Sequence, residues 1–313
     1  MATSALLTVY AIGLAETFLG LVANAFITIS NVLDWKAGKK LKPFDKIFLS
    51  LGLSRSIHMC LLIFNIIIRV FNLNVYGISA LNWILNLTYL FLDFSSLWFA
   101  MWLCFLYFVK VTIFKNTLLI RIKLRIPQLV LYMIISSILM ALLSGFIFVC
   151  NYNDPLDLMF PRFDPQSNSS IEKEIMFLVP SYFLGHFLPF IMVSISTTFL
   201  LRTIVGHVTR IKSTITSFTT PKMDAHFTAI RSVCLVEFMT ICYFIVTVLL
   251  RFNFYQTFNN NVIFVLVIFY PTFHSMVLIA GNAKLKKKFF KIVYYVKKCE
   301  PMGSICSILK KPK

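Results

Sequence analysis

Tyr270-Pro271-Thr272-Phe273-His274-Ser275-Met276-Val277-Leu278-Ile279-Ala280-Gly281-Asn282-Ala283-Lys284-Leu285-Lys286-Lys287-Lys288 is the stretch whose reading decides the fold. An apolar run ends in it and a lysine run begins at once. That junction reads as a membrane helix meeting a cytoplasmic surface. Pro271, His274, Ser275 and Asn282 are costly in lipid, so they are expected to face other helices.

The rest of the chain extends the same pattern. The 313 residues are 58% hydrophobic and 13% charged, with a net charge of +18. Mean hydropathy is +0.82. A soluble core needs short apolar runs broken by polar faces, whereas these runs approach the ~20 residues that cross a bilayer. In a soluble protein such a positive charge points to nucleic acid; the positions of the charges decide otherwise. Apolar spans are expected at 6–33, 47–71, 80–109, 126–150, 175–201, 229–250 and 262–282, with a basic tail at 283–313. Lys36, Lys39, Lys40, Lys42 and Lys46 follow the first span, and Lys110, Lys115, Arg121, Lys123 and Arg125 follow the third. Arg202, Arg210, Lys212 and Lys222 follow the fifth. Every second connection is basic, and the positive-inside rule assigns those to the cytoplasm. The fold class is therefore all-α: a single seven-helix transmembrane bundle, multi-pass in the plasma membrane, with an extracellular N-terminus and a cytoplasmic C-terminus. The connection from Asn151 to Glu174 is acidic and contains the sequon Asn168-Ser169-Ser170, so Asn168 is a candidate glycosylation site. No Cys/His spacing suits a metal, and no cofactor is expected.

Polar groups inside the spans mark two candidate sites. Glu16, Gly20 and Asn24 lie on one face of the first helix. Arg55 sits roughly 12 Å into the second span at ~1.5 Å per residue. Asn24 and His274 lie at similar depth, with Ser275 beside His274, so these groups are expected to meet. Glu16, two turns higher, is the candidate counter-charge. A lone buried arginine costs several kcal/mol, so a partner is required. The network fits either a helix staple or a switch. In the other half of the bundle, Trp83, Asn86, Tyr89 and Asp93 run down the third span. Rings around one buried carboxylate make a plausible ligand site; helix packing is the plainer reading. Glu237 is a weaker candidate, and His186 and Pro189 read as a packed histidine and a kink.

The residues also carry a family resemblance. Tyr270-Pro271, His274-Ser275, Gly281-Asn282 and Lys284-Leu285-Lys286 resemble the ending of type 2 taste receptors, the bitter taste receptors. Glu16, Gly20 and Asn24, the stretch Leu53-Ser54-Arg55, Phe105-Leu106-Tyr107-Phe108-Val109-Lys110 and Leu188-Pro189-Phe190 are similar to earlier family motifs, in order. The resemblance implies a G-protein-coupled receptor for bitter small molecules that activates a gustducin-type (Gi-like) G protein and is not an enzyme. It implies ligand contacts at Tyr89 and Asp93, with Phe264 as an apolar wall. It implies G-protein contacts near Tyr107, Lys110, His207 and His226, and a glycan at Asn168. Vomeronasal type 1 receptors are the runner-up. A transporter is the alternative from another class, though no paired or repeated set of spans supports it.

Overall fold

The computed structural model describes residues 2–71, 79–112, 117–151, 179–214, 221–251 and 260–308. Backbone polar groups cannot be left bare in lipid, so apolar runs of this length fold as helices that satisfy every N–H and C=O internally. They are α1 (Ala2–Lys36), α2 (Pro43–Val70), α3 (Ser79–Val111), α4 (Thr117–Asn151), α5 (Leu188–Thr214), α6 (Pro221–Arg251), α7 (Asn260–Gly281) and α8 (Ala283–Ile308). A helical turn at 179–182 and a π-helical turn at Phe183–Phe187 run into α5 without a break. Six of the described helices are long and apolar enough to cross a membrane. Counting α7 and α8 together, bent by 95°, gives a seventh. The chain is thus a multi-pass membrane protein, helical throughout its described spans.

Packing closes α1, α2, α3, α5, α6 and α7 into a ring by neighbour contacts, with α4 against α3 and α2. The α3 helix is the most enclosed of the described spans, which explains why its polar groups end up at interfaces. Large apolar side chains on α1, α4 and α6, such as Phe18, Leu139 and Phe238, remain exposed, as a lipid-facing surface requires. Ser54 and Ser95 meet at 2.7 Å between α2 and α3, and Ser181 donates to the Ser144 carbonyl at 2.7 Å between the start of the α5 segment and α4. Small hydroxyl residues let helices approach closely where apolar burial gives little preference.

Two expectations are revised by the helix boundaries. The basic link after the third span is largely helical, since α4 starts at Thr117 and carries Arg121, Lys123 and Arg125 in its first turns. Lys123 Nζ donates to the carbonyls of Lys110 and Thr112 at 3.3 and 3.0 Å, tying that turn to the end of α3. The basic tail is also helical as far as Ile308. Asn282 does not turn its side chain to a neighbouring span. Its Oδ1 accepts the backbone N–H groups of Lys284 and Leu285 at 3.0 and 3.3 Å, so it caps α8.

At the lysine-rich end, where α1 stops and α8 starts, Gly38 takes φ 74° and reverses the chain. Asp34, just past the apolar run of α1, then meets Lys39 at 3.0 Å, Lys284 at 2.9 Å and Lys288 at 2.7 Å. Lys284 also reaches Asp45 of α2 at 3.0 Å.

Candidate functional site

Two polar layers lie inside the bundle, and α7 belongs to both. The first gathers around Asp93. This residue is buried on α3; its Oδ1 accepts a hydrogen bond from the Tyr243 hydroxyl of α6 at 3.0 Å. Its Oδ2 lies 3.3 Å from Nε2 of His186, an ion-pair distance without hydrogen-bond alignment. His186 reaches it because of the π turn. There the Leu188 N–H bonds to the Phe183 carbonyl, five residues back. The indole N–H of Trp98 bonds the Leu184 carbonyl at 3.2 Å. Gly185 is required in that turn, since a Cβ there would lie 2.7 Å from the Phe94 ring. The His186 ring is stacked on Tyr182 at 4.6 Å and meets Phe94 edge-on at 5.0 Å.

Two small cavities flank this group. One, about 10 Å³, is lined by His58, Tyr89, Asp93, Tyr243, Tyr270 and Pro271 among others. The other, about 20 Å³, is lined by residues including His186, Phe190, Thr240, Phe244 and the same Tyr243 and Tyr270. The first has room for about one water and the second for one or two. Tyr243 and Tyr270 stack at 4.3 Å and form the shared wall.

The second layer is one turn along α7. Arg55 is wholly buried. One of its guanidinium nitrogens lies 2.8 Å from His274 Nδ1 and 3.2 Å from Ser275 Oγ. A longer contact of 3.5 Å runs to the Pro271 carbonyl. Ser275 Oγ is 2.8 Å from both Asn24 Oδ1 and the Pro271 carbonyl. Its single proton serves one of the two at a time. The sequence reading that Asn24, Arg55, His274 and Ser275 occupy one depth thus corresponds to direct contacts. Glu16 is different: it forms no ion pair with Arg55 among the described residues, and its backbone carbonyl accepts from Thr272 at 3.2 Å. The Glu16 side chain is half-buried, and burial leaves its Oε2 without a hydrogen-bond partner. Tyr270 takes the place above Arg55, with the guanidinium carbon 5.7 Å from the ring centre.

The chain matches the family model described as taste receptor protein (TAS2R) over residues 1–297. It belongs to that family. Relatives include human taste receptor type 2 member 9, 29% identical over 94% of this chain and 96% of the relative. Human taste receptor type 2 member 39 is 28% identical over 89% of this chain and 84% of the relative. The Bornean orangutan (Pongo pygmaeus) taste receptor type 2 member 9 is 29% identical with the same coverage as its human counterpart.

In this taste receptor family member, the residues singled out on α3 do not share one environment. Tyr89 and Asp93 line the first cavity. Asn86 is buried and donates to Asn82 Oδ1 at 2.7 Å, within its own helix. Trp83 meets Phe146 of α4 edge-on at 6.3 Å and is 36% exposed. Ten residues at roughly 100° each put Trp83 about 80° off the Asp93 line, so it faces away. Tyr107 packs its ring 5.0 Å from Phe44, over which Lys110 also sits at 4.9 Å. His207 and His226 belong to α5 and α6, and Phe264 to α7, but their side chains lie outside the described residues, as does Asn168. Thr197 of α5 donates to the Glu237 carboxylate of α6.

Several residues beside Asp93 escaped the sequence reading. His58 stands one turn from Arg55 on α2 and meets the Tyr89 ring at 4.8 Å; that spacing alone was a usable signal. Tyr270 was quoted only as part of a motif. Tyr243 has no such signal, because a tyrosine in an apolar helix reads as core.

Proposed function

We propose that the chain is a plasma-membrane receptor for bitter small molecules that activates a gustducin-type heterotrimeric G protein. Its N-terminus is extracellular and its lysine-rich end cytoplasmic. The ligand enters from the outer side and occupies the space around Tyr89, Asp93, Tyr243 and Tyr270, with Phe264 as a neighbouring wall. Asn24, Arg55, His274 and Ser275 form the switch, and Tyr107, Lys110, His207 and His226 face the G protein. Asn168 carries the glycan.

One observation supports this division of labour. Tyr270 and Pro271 line the first cavity, while the same turn of α7 presents the Pro271 carbonyl, His274 and Ser275 to Arg55. A ligand that parts the stacked pair Tyr243–Tyr270 displaces the segment holding Arg55. It shifts the population of bundle arrangements only if it contacts one of them better than the other. Ser275 has a ready second arrangement, because it already sits between two acceptors. The basic end also serves topology and attraction to anionic lipid. A calcium-release screen of bitter compounds, in cells expressing this chain with a gustducin-type G protein, tests the proposal. Compound-dependent release absent from untransfected cells is expected. Silence across the screen, with the receptor verified at the cell surface, contradicts it.

A further inference from the structure

Glu237 belongs to neither polar layer, yet it is an ionisable side chain inside a membrane span, where such groups are costly unless paired or used. It lies half-buried on α6, the least enclosed of the six separate spans. Polar ties at helical spacing run along that helix. Thr247 meets the Tyr182 hydroxyl at 2.7 Å, Tyr243 donates to Asp93 at 3.0 Å, and the Glu237 carboxyl accepts from Thr197 of α5. The second cavity reaches Val193 and Thr240. Thr197 and Glu237 stand about one turn beyond it, toward the end of the bundle where α5 stops and α6 starts.

Thr197 has a companion on the same face of α5. Phe190 stacks on Phe244 of α6 at 4.2 Å, which identifies the face of α5 turned to α6. At roughly 100° per residue, Ser194 lies about 40° and Thr197 about 20° from Phe190. Both hydroxyls therefore share that face, one turn apart, while Phe244 and Glu237 line up opposite them. Ser194 Oγ is buried and has no hydrogen-bond partner among the described residues. Leaving a buried hydroxyl unsatisfied costs free energy; one turn from a carboxyl, this one is a vacant donor. Thr197 also has a second acceptor at hand, since its Oγ1 lies 2.9 Å from the Val193 carbonyl.

We infer that Glu237 is a two-position catch between α5 and α6. In the arrangement described here Thr197 holds its carboxyl. In the signalling arrangement the carboxyl passes one turn along α5 to Ser194, and Thr197 turns its hydroxyl to the Val193 carbonyl. The inference rests on the reading of the chain as a receptor that activates a G protein, but not on where its ligand sits. Three residues of helix span about 4.5 Å, which a glutamate covers by a change of rotamer and a small shift of α6. The carboxyl has a donor in both settings, so the catch passes between two discrete states instead of breaking.

The test needs no ligand. Basal nucleotide exchange on a gustducin-type G protein is measured with purified full-length receptor in phosphatidylcholine–phosphatidylserine nanodiscs. Thr197→Val keeps the branched shape and removes the donor. Basal exchange is expected to rise about three- to tenfold, the effect of one interhelical hydrogen bond in a membrane. Thr197→Ser keeps the hydroxyl and should stay at the parental level. Adding Ser194→Ala to Thr197→Val should bring exchange back toward the parent, because the second setting is then lost as well. The unfolding temperature of each protein verifies its fold, and Thr197→Ala gives the same reading where the valine variant is not recovered. Unchanged basal exchange in Thr197→Val and Thr197→Ala, when the parent answers a compound of the calcium-release screen, overturns the catch and leaves the receptor reading standing. A rise that Ser194→Ala does not reverse also overturns it, since the tie would then be a brake with one setting. If no protein drives exchange and no compound of the screen acts on the parent, the receptor reading falls and the catch with it.

Discussion

Replacing His274 by phenylalanine probes the buried arginine most sharply. An aromatic ring stays but grows by one ring atom, so no cavity is created, and any overpacking cost is common to both proteins of the cycle that carry the substitution. What is lost is the 2.8 Å contact between Arg55 and Nδ1. Arg55 retains Ser275 Oγ at 3.2 Å and the Pro271 carbonyl at 3.5 Å, the latter too long to compensate fully. A hydrogen bond to a charged group contributes about 1.5–3 kcal/mol in water-soluble proteins. Within membranes interhelical hydrogen bonds average nearer ~0.6, with a maximum of ~1.7 kcal/mol. A charged donor in a dry bundle belongs toward the upper part of that range, so we expect His274→Phe to cost about 1.5 kcal/mol. Arg55→Met removes the charge itself, and a buried ion replaced by a well-fitting apolar residue is often neutral. The double variant should therefore be more stable than His274→Phe alone. The assay is equilibrium unfolding of purified receptor in mixed detergent micelles, run as a double-mutant cycle. Additive losses from the two substitutions, or a His274→Phe variant as stable as the parent, would mean that Arg55 does not depend on this contact.

Other predictions concern the frame around the site. Asn282→Ala removes the cap of α8 and should destabilise that helix by about 1 kcal/mol, seen as faster amide exchange in its first turn. Gly185→Ala forces a methyl against Phe94; a loss of about 1–3 kcal/mol is expected in thermal unfolding, with ligand response falling because His186 no longer sits against Asp93. Asp34→Asn cuts the ties to Lys39, Lys284 and Lys288. Partly solvated partners limit the loss to on the order of 1 kcal/mol, read as increased protease access to α8.

The architecture was legible because the membrane imposes a simple rule: long apolar runs become helices, and lysines collect at one end. Helix boundaries were less legible where charge and backbone disagree. Arg121, Lys123 and Arg125 end an apolar run without ending a helix, which is why α4 begins nine residues before its expected span. The tail was read as merely basic, although Asn282 followed by Lys284-Leu285 is a helix-start signal. At the site, depth counting brought Arg55, Asn24 and His274 together because rise per residue is nearly fixed. It does not report rotation reliably, so Trp83 was grouped with Asp93 when it faces α4. Glu16 was chosen as the counter-charge from depth and sign; its place on α1 does not bring it to Arg55. His186 could not be assigned to Asp93 from spacing, because the π turn shifts the register by one residue and no ordinary helical wheel includes that shift.

Agonist-driven nucleotide exchange on a gustducin-type G protein, by the purified receptor in nanodiscs, addresses the coupling of the two layers most directly. Three proteins are compared: the parent, Asp93→Ala and Ser275→Ala. Exchange should rise with ligand in the parent. In Asp93→Ala both ligand binding and exchange should fall, whereas Ser275→Ala should bind ligand normally but transmit it poorly. Exchange that stays at the parental level in both variants, with binding intact, would contradict the coupling of a ligand at Asp93 to the arginine beneath it.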